Sequence, residues 1–153
     1  MAKTSTVPFS QNFNTRLVTL NTASSFIATD AGTSPTNTVE LLTAGDNDSI
    51  VKSITISSSD TVARTIAFYI SSDIAPTQKH LLFTIPAPGS SGFSGTVSNV
   101  DVLGSTLING FPVDQSGKNV LLLKAGFKLW IGVITAAITA NKNVYVQAFC
   151  EDF

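Results

Sequence analysis

An all-β chain, built as an antiparallel two-sheet β-sandwich of jelly-roll-like form with about eight strands and an extended N-terminal arm, is the fold class that three features of this sequence predict. Short runs alternate apolar with polar residues. Gly, Pro, Asn and Asp clusters punctuate them at a spacing of about 8–12 residues. No stretch sustains a 3.6-residue apolar period, and the one Ala-containing candidate for a helix, residues 134–140, is surrounded by β-branched neighbours that favour a strand end or a loop.

The 153 residues suit one domain, and a domain of that size buries about 68–70% of its unfolded surface. We read residues 1–14 as the arm and 15–153 as a single β-sandwich domain. The arm is polar, carries Pro8 and the isolated aromatics Phe9 and Phe13, and holds neither strand nor helix period for long.

Residues 16–21 form a short candidate strand whose facing is ambiguous, because Leu17, Val18 and Leu20 fall on both parities. Residues 22–37 read as loop or weak strand, and 38–43 (TVELLT) as a strand ending in an Asx-rich turn. Residues 49–57 place Ile50, Ile54 and Ile56 on one parity and Val51, Ser53, Thr55 and Ser57 on the other. Residues 63–71 repeat the pattern with Ile66, Phe68 and Ile70 inward. In 80–85, Leu81, Phe83 and Ile85 alternate with Leu82 and Thr84. A loop dense in Gly, Pro and Ser (86–97) precedes a strand region at 100–108, where Gly104 marks a candidate bulge.

The stretch 119–134 (NVLLLKAGFKLWIGVI) reads as two apolar strands joined at Lys124-Ala125-Gly126, where glycine accepts the positive φ of a short reversal. Leu129, Ile131 and Val133 share one face and Trp130 and Ile134 the other, so this strand belongs mid-sheet or has its outer face covered by another chain. The last strand, 143–149, sets Val144 and Val146 against Tyr145, Gln147 and Phe149.

Charge is sparse. Nine Lys and Arg against ten Asp and Glu leave a net of −1, with 12% of residues charged against roughly 25% in a typical domain. Such a surface reaches little beyond contact, which argues against nucleic acid or a membrane as partner. Ser and Thr, about a quarter of the chain, carry the polarity instead, and a charge-depleted surface suits an interface. The single Cys150 excludes an intrachain disulfide and is expected as a small apolar filler. No apolar leader or spanning run is visible, so synthesis and folding in a cytoplasm are expected.

The sequence holds no constellation for catalysis, cofactor or metal, and the chain is expected not to be an enzyme. His80, the one histidine, is expected at an exposed strand start. Gly89-Ser90-Ser91-Gly92 lacks the spacing of a nucleophile elbow. Asp46-Asn47-Asp48 lacks the glycine and distant glutamate of a calcium loop and reads as a turn. Glu151-Asp152-Phe153 reads as a solvated end. If the fold separates Lys118, Lys124, Lys128 and Lys142 from Asp30, Glu40, Asp46, Asp48 and Asp60, copies could meet with complementary potential. Trp130 and Tyr145, each flanked by apolar residues, fit core or subunit interface better than a sugar-stacking platform. With Phe9, Phe13 and Phe153 they are the candidate interface residues.

The blocks VELLTAGDNDSIVKSITI (39–56), AFYISSD (67–73), LLFTIPA (81–87), AGFKLWIGV (125–133) and the terminal YVQAFCEDF resemble small β-sandwich virion structural proteins of tailed bacteriophages. The resemblance covers most of the chain after about residue 38, and its motifs mark turns and cores, so no functional residue is carried over. It implies a head decoration or cement protein on the capsid surface, made in the host cytoplasm, that binds between major capsid protein subunits, often as a homotrimer. It would stabilise the shell by many small contacts. A tail-fibre, receptor-binding or carbohydrate-binding module is the alternative.

Overall fold

Alternation of branched apolar and small polar side chains lets each strand bury one face and solvate the other, and two such sheets close over one core. The computed structural model describes residues 12–25, 35–75 and 77–153. Nine strands carry the described part: β1 (Asn12–Leu20), β2 (Val39–Thr43), β3 (Ser49–Ser58), β4 (Arg64–Ser71), β5 (His80–Ala87), β6 (Val100–Asp101), β7 (Leu121–Leu123), β8 (Lys128–Ile134) and β9 (Val144–Asp152). A 3₁₀ turn, Thr22–Ser24, is capped by the Asn21 side chain.

One sheet runs β1-β9-β3-β6 with β7 also on β3, and the other runs β2-β8-β4-β5. β6 pairs with Thr55 and Ile56 of β3 while β7 pairs with Ser49, Ile50 and Val51, so the two are pieces of one interrupted strand position. The chain is thus a long antiparallel ribbon, β1 on β9, β2 on β8, β3 on β6 and β7, β4 on β5, whose successive rungs go to alternate sheets. That is the eight-position jelly roll.

The core lies between the sheets, with Ile54, Ile56, Ile66, Phe68, Leu129, Ile131, Val133 and Val144 each fully buried. Each such side chain contributes about 1.5–3 kcal/mol. Phe68 stacks on Phe83 at 4.8 Å, and Phe111 meets Phe83 edge-on at 5.6 Å. β8 lies between β2 and β4, which accounts for its apolar residues on both parities.

Several local expectations are corrected. β1 begins at Asn12, so residues 12–14 of the expected arm belong to a strand, while residues 1–11, including Phe9, lie outside the described residues. A bulge in β3 between Val51 and Ser53 changes the parity, so Val51 is buried and Ile50 turns outward. One extra residue reverses every side chain before it. A second bulge, opposite Phe68 and Tyr69, breaks the alternation expected over 80–85, so Leu81 is exposed while Ile85, expected on the same parity, is buried.

The strand expected over 100–108 is only β6; Gly104 closes a turn by donating its N–H to Asp101 Oδ1 at 3.2 Å, in place of a bulge. β7 and β8 do not form a hairpin. The chain crosses between sheets at Lys124–Phe127, and Gly126, with φ +74° and Asp73 Cβ 2.8 Å from where its own Cβ would sit, supplies the corner.

Buried polar groups lock the two ends. Asp60, 0% exposed, accepts from Arg64 Nε (2.7 Å), Thr139 N (2.9 Å), Thr139 Oγ1 (2.9 Å) and Val62 N (3.1 Å). Arg64 Nη2 also donates to Thr139 Oγ1 at 2.9 Å. This ties the β3–β4 loop to the β8–β9 loop, and Ser90 N–H joins the β5–β6 loop through Asp60 O at 2.7 Å. Burial acts to raise the Asp60 carboxyl, but the hydrogen bonds from Thr139, Arg64 and Val62 outweigh it and hold the group well below the usual carboxylate range.

At the opposite end the expected solvated tail is instead tied down. Asp152 accepts from the Asn14 amide and from Ser49 Oγ, Phe153 N–H donates to Asp48 O at 3.2 Å, and Lys52 lies 3.6 Å from Glu151.

Candidate interaction surface

Opposed residues of antiparallel strands point to the same side, so the register of β1, β9 and β3 defines the outer face of the five-stranded sheet as a set of cross-strand rows. The first row is Phe13, Glu151, Ile50 and Leu122. Thr15, Phe149 and Ser53 make the second, and Leu17, Gln147, Thr55 and Asp101 the third. Thr19, Tyr145 and Ser57 make the fourth.

The protruding groups are apolar. Phe13 is 64% exposed and Leu17 74%, with Leu122, Tyr145 and Phe149 also exposed. Phe13 stacks on Phe149 at 6.1 Å, and Phe93 from the β5–β6 loop stacks on Tyr145 at 5.5 Å. Charge is confined to the margins, where Glu151 faces Lys52 and Asp101 is held by Gly104 N–H. Aromatic enrichment with depleted charge is the compositional mark of a protein contact, and apolar groups gathered on one face mark an interaction site more than scattered ones do. Beside Tyr145, a shallow hollow of about 220 Å³ is lined by Leu17, Thr19, Thr55, Ser57 and Gln147.

The outer face of the four-stranded sheet differs. Trp130 and Tyr69 are opposed there, yet Tyr69 is only 5% exposed and Trp130 is half-buried. Trp130 donates its Nε1–H to Ser71 Oγ at 2.9 Å, and Lys79 Nζ lies 4.4 Å above its ring while donating to Pro35 O at 3.2 Å. Burial lowers the Lys79 pKa. Of the candidate residues, then, Phe13 and Tyr145 share one face, Trp130 sits on the opposite sheet, and Phe153 packs at the end beside Asp48. Phe149 and Leu17 share that exposed face but were not among the candidate residues; their signal was parity, since Phe149 lies four residues beyond Tyr145 on the same side.

The charge-separation expectation fails at two of its pairs. Lys124 Nζ bonds Asp48 at 3.0 Å and Lys128 Nζ bonds Glu40 at 2.8 Å, so late lysines neutralise early acids within the chain. Asp48 also accepts Ala125 N–H at 2.8 Å, which occupies the carboxylate considered for calcium. His80 is the exposed first residue of β5. Cys150 is a buried free thiol, and burial pushes its pKa up.

No known protein family matches the chain, and no curated protein matches it. Among solved structures, a chain of the cyanophage Pam1 capsid asymmetric unit is similar at 17% identity and a TM-score of 0.42, over 95% of this chain and 89% of that one. A chain of infectious bursal disease virus, Gt strain, is similar at 10% identity and a TM-score of 0.33, over 91% of this chain but 32% of that one. At these identities and TM-scores neither likeness assigns this chain a role. The class defined here is the double-sheet jelly roll, which viral capsid domains, lectins and cupins share.

Proposed function

We propose that this protein is a structural component of a virion, a decoration or cement protein of a bacteriophage head that binds major capsid protein on the capsid surface. The observation that carries the reading is the outer face of the five-stranded sheet, where Phe13, Leu17, Phe149 and Tyr145 stand exposed on a rigid, charge-poor platform. The sequence resemblance supports it. The mechanism is mechanical and involves no catalytic step: each copy buries apolar area across a joint between subunits, and repetition over the shell multiplies a modest contact into a large resistance to opening.

Quantitative mass spectrometry of purified particles tests the proposal. Hundreds of copies per particle agree with a head protein; a handful or none contradicts it. A second reading, a tail or receptor-binding module that takes carbohydrate, draws on the hollow beside Tyr145, where an aromatic ring adjoins hydroxyl and amide groups. A glycan array separates the two, since binding that is lost in Tyr145→Ala favours the second.

A further inference from the structure

A sheet edge offers a row of unpaired N–H and C=O groups, and proteins blunt such edges with proline, lysine, bulges or brevity. Among the described residues, three of the four edge positions are blunted. β2 has five residues and a register shift between Glu40 and Leu42. β5 carries Pro86 and a register shift. The β6 and β7 position is split into pieces of two and three residues.

β1 is different. It runs nine residues, NFNTRLVTL, in unbroken register with β9, and contains neither proline nor lysine. Only Leu20 of β1 is buried, and Asn14 and Val18 are half-buried; the remaining six are exposed. Its one charge is Arg16.

We infer that the free edge of β1 is the site at which a second copy of this chain adds, β1 antiparallel to its counterpart across a two-fold axis, joining two five-stranded sheets into one. The strand is complementary to itself. With Leu17 on the axis, Leu17 meets its own copy, Thr15 meets Thr19, and Arg16 meets Val18, so no like charges are opposed. A register centred on Arg16 would set two guanidinium groups against each other. The pairing also doubles the apolar outer face, placing both copies of Phe13, Leu17 and Phe149 on one continuous surface. Among the described residues the three blunted edges leave no second site for head-to-tail addition, so the assembly closes at two copies, in place of the three-fold assembly that the resemblance implies. The inference does not depend on the virion reading, and particle copy number does not bear on it.

Sedimentation of the full chain over a concentration series tests it. The wild type forms a dimer, and Leu17→Asp, a change at an exposed position, weakens dimerisation by about tenfold or more while circular dichroism and the unfolding midpoint stay unchanged. Ile74→Asp, at a position 90% exposed away from β1, leaves the dimer intact. Directly opposed residues lie about 4.5–5.5 Å apart at Cα, within disulfide range. Leu17→Cys therefore cross-links one copy to another under mild oxidation, with Cys150 too buried to compete. A monomer at all concentrations up to about 100 μM, a trimer, or a dimer in which Leu17→Cys gives no cross-link overturns the inference.

Discussion

Replacing Asp60 by alanine removes the acceptor on which two loops converge. The carboxylate is 0% exposed and takes four hydrogen bonds, one of them from the Arg64 guanidinium, itself only 8% exposed. Without Asp60 the guanidinium is left, among the described residues, with Thr139 Oγ1 and no counter-charge. Breaking a buried pair by deleting one partner costs about 3–5 kcal/mol. At about 2–4 °C per kcal/mol for a chain of this size, the unfolding midpoint drops by roughly 6–20 °C. The single Trp130 gives the fluorescence signal for thermal or urea unfolding.

The effect depends on pH with a defined sign. A carboxyl depressed in the folded state stabilises fully above its unfolded pKa of about 3.9, and the stabilisation is lost as pH falls through the lower folded value. The gap between wild type and Asp60→Ala is therefore widest near neutrality and narrows below about pH 4. A change under about 1 kcal/mol at pH 7, or a gap that widens in acid, would show that Asp60 does not hold the two loops together.

Other substitutions test other parts of the fold. Val51→Ala costs roughly 2 kcal/mol by urea unfolding and Ile50→Ala under about 1, because the β3 bulge turns Val51 in; a larger effect at Ile50 would contradict that register. Gly126→Ala destabilises by at least about 1 kcal/mol, since the new Cβ meets Asp73 with φ at +74°; thermal unfolding reads it. Asp152→Ala loses its bonds from Asn14 and Ser49 and costs about 1.5–3 kcal/mol, whereas a solvated tail would show no change.

Much of the fold was legible because parity is a local property. The alternation in residues 63–71 placed Ile66 and Phe68 inward, with Ile70 half-buried, and in 143–149 it set Val144 and Val146, both buried, apart from Tyr145, Gln147 and Phe149; double-sided apolarity left β8 either mid-sheet or covered by another chain, and it lies between β2 and β4. What escaped was non-local or hinged on a single residue. Nothing in the sequence shows that one extra residue near Lys52 reverses Ile50 and Val51. The reversal at Gly126 looks the same whether it closes a hairpin or carries the chain between sheets. Asp60 and Arg64 flank a turn in a chain poor in charge, which was a usable hint, but Thr139 lies 75 residues beyond Arg64. The outer face of the five-stranded sheet was half legible: Phe13 and Tyr145 stood out in the sequence, but their common face with Leu17 and Phe149 needs the β1–β9 register.

Hydroxyl-radical footprinting of free and particle-bound protein asks most directly whether the outer face of the five-stranded sheet is a contact surface. If it is, Phe13, Leu17, Tyr145 and Phe149 lose reactivity on the particle while the exposed Ile74 and Val62 keep theirs. Undiminished reactivity of those four, with protection on the four-stranded sheet instead, would contradict it.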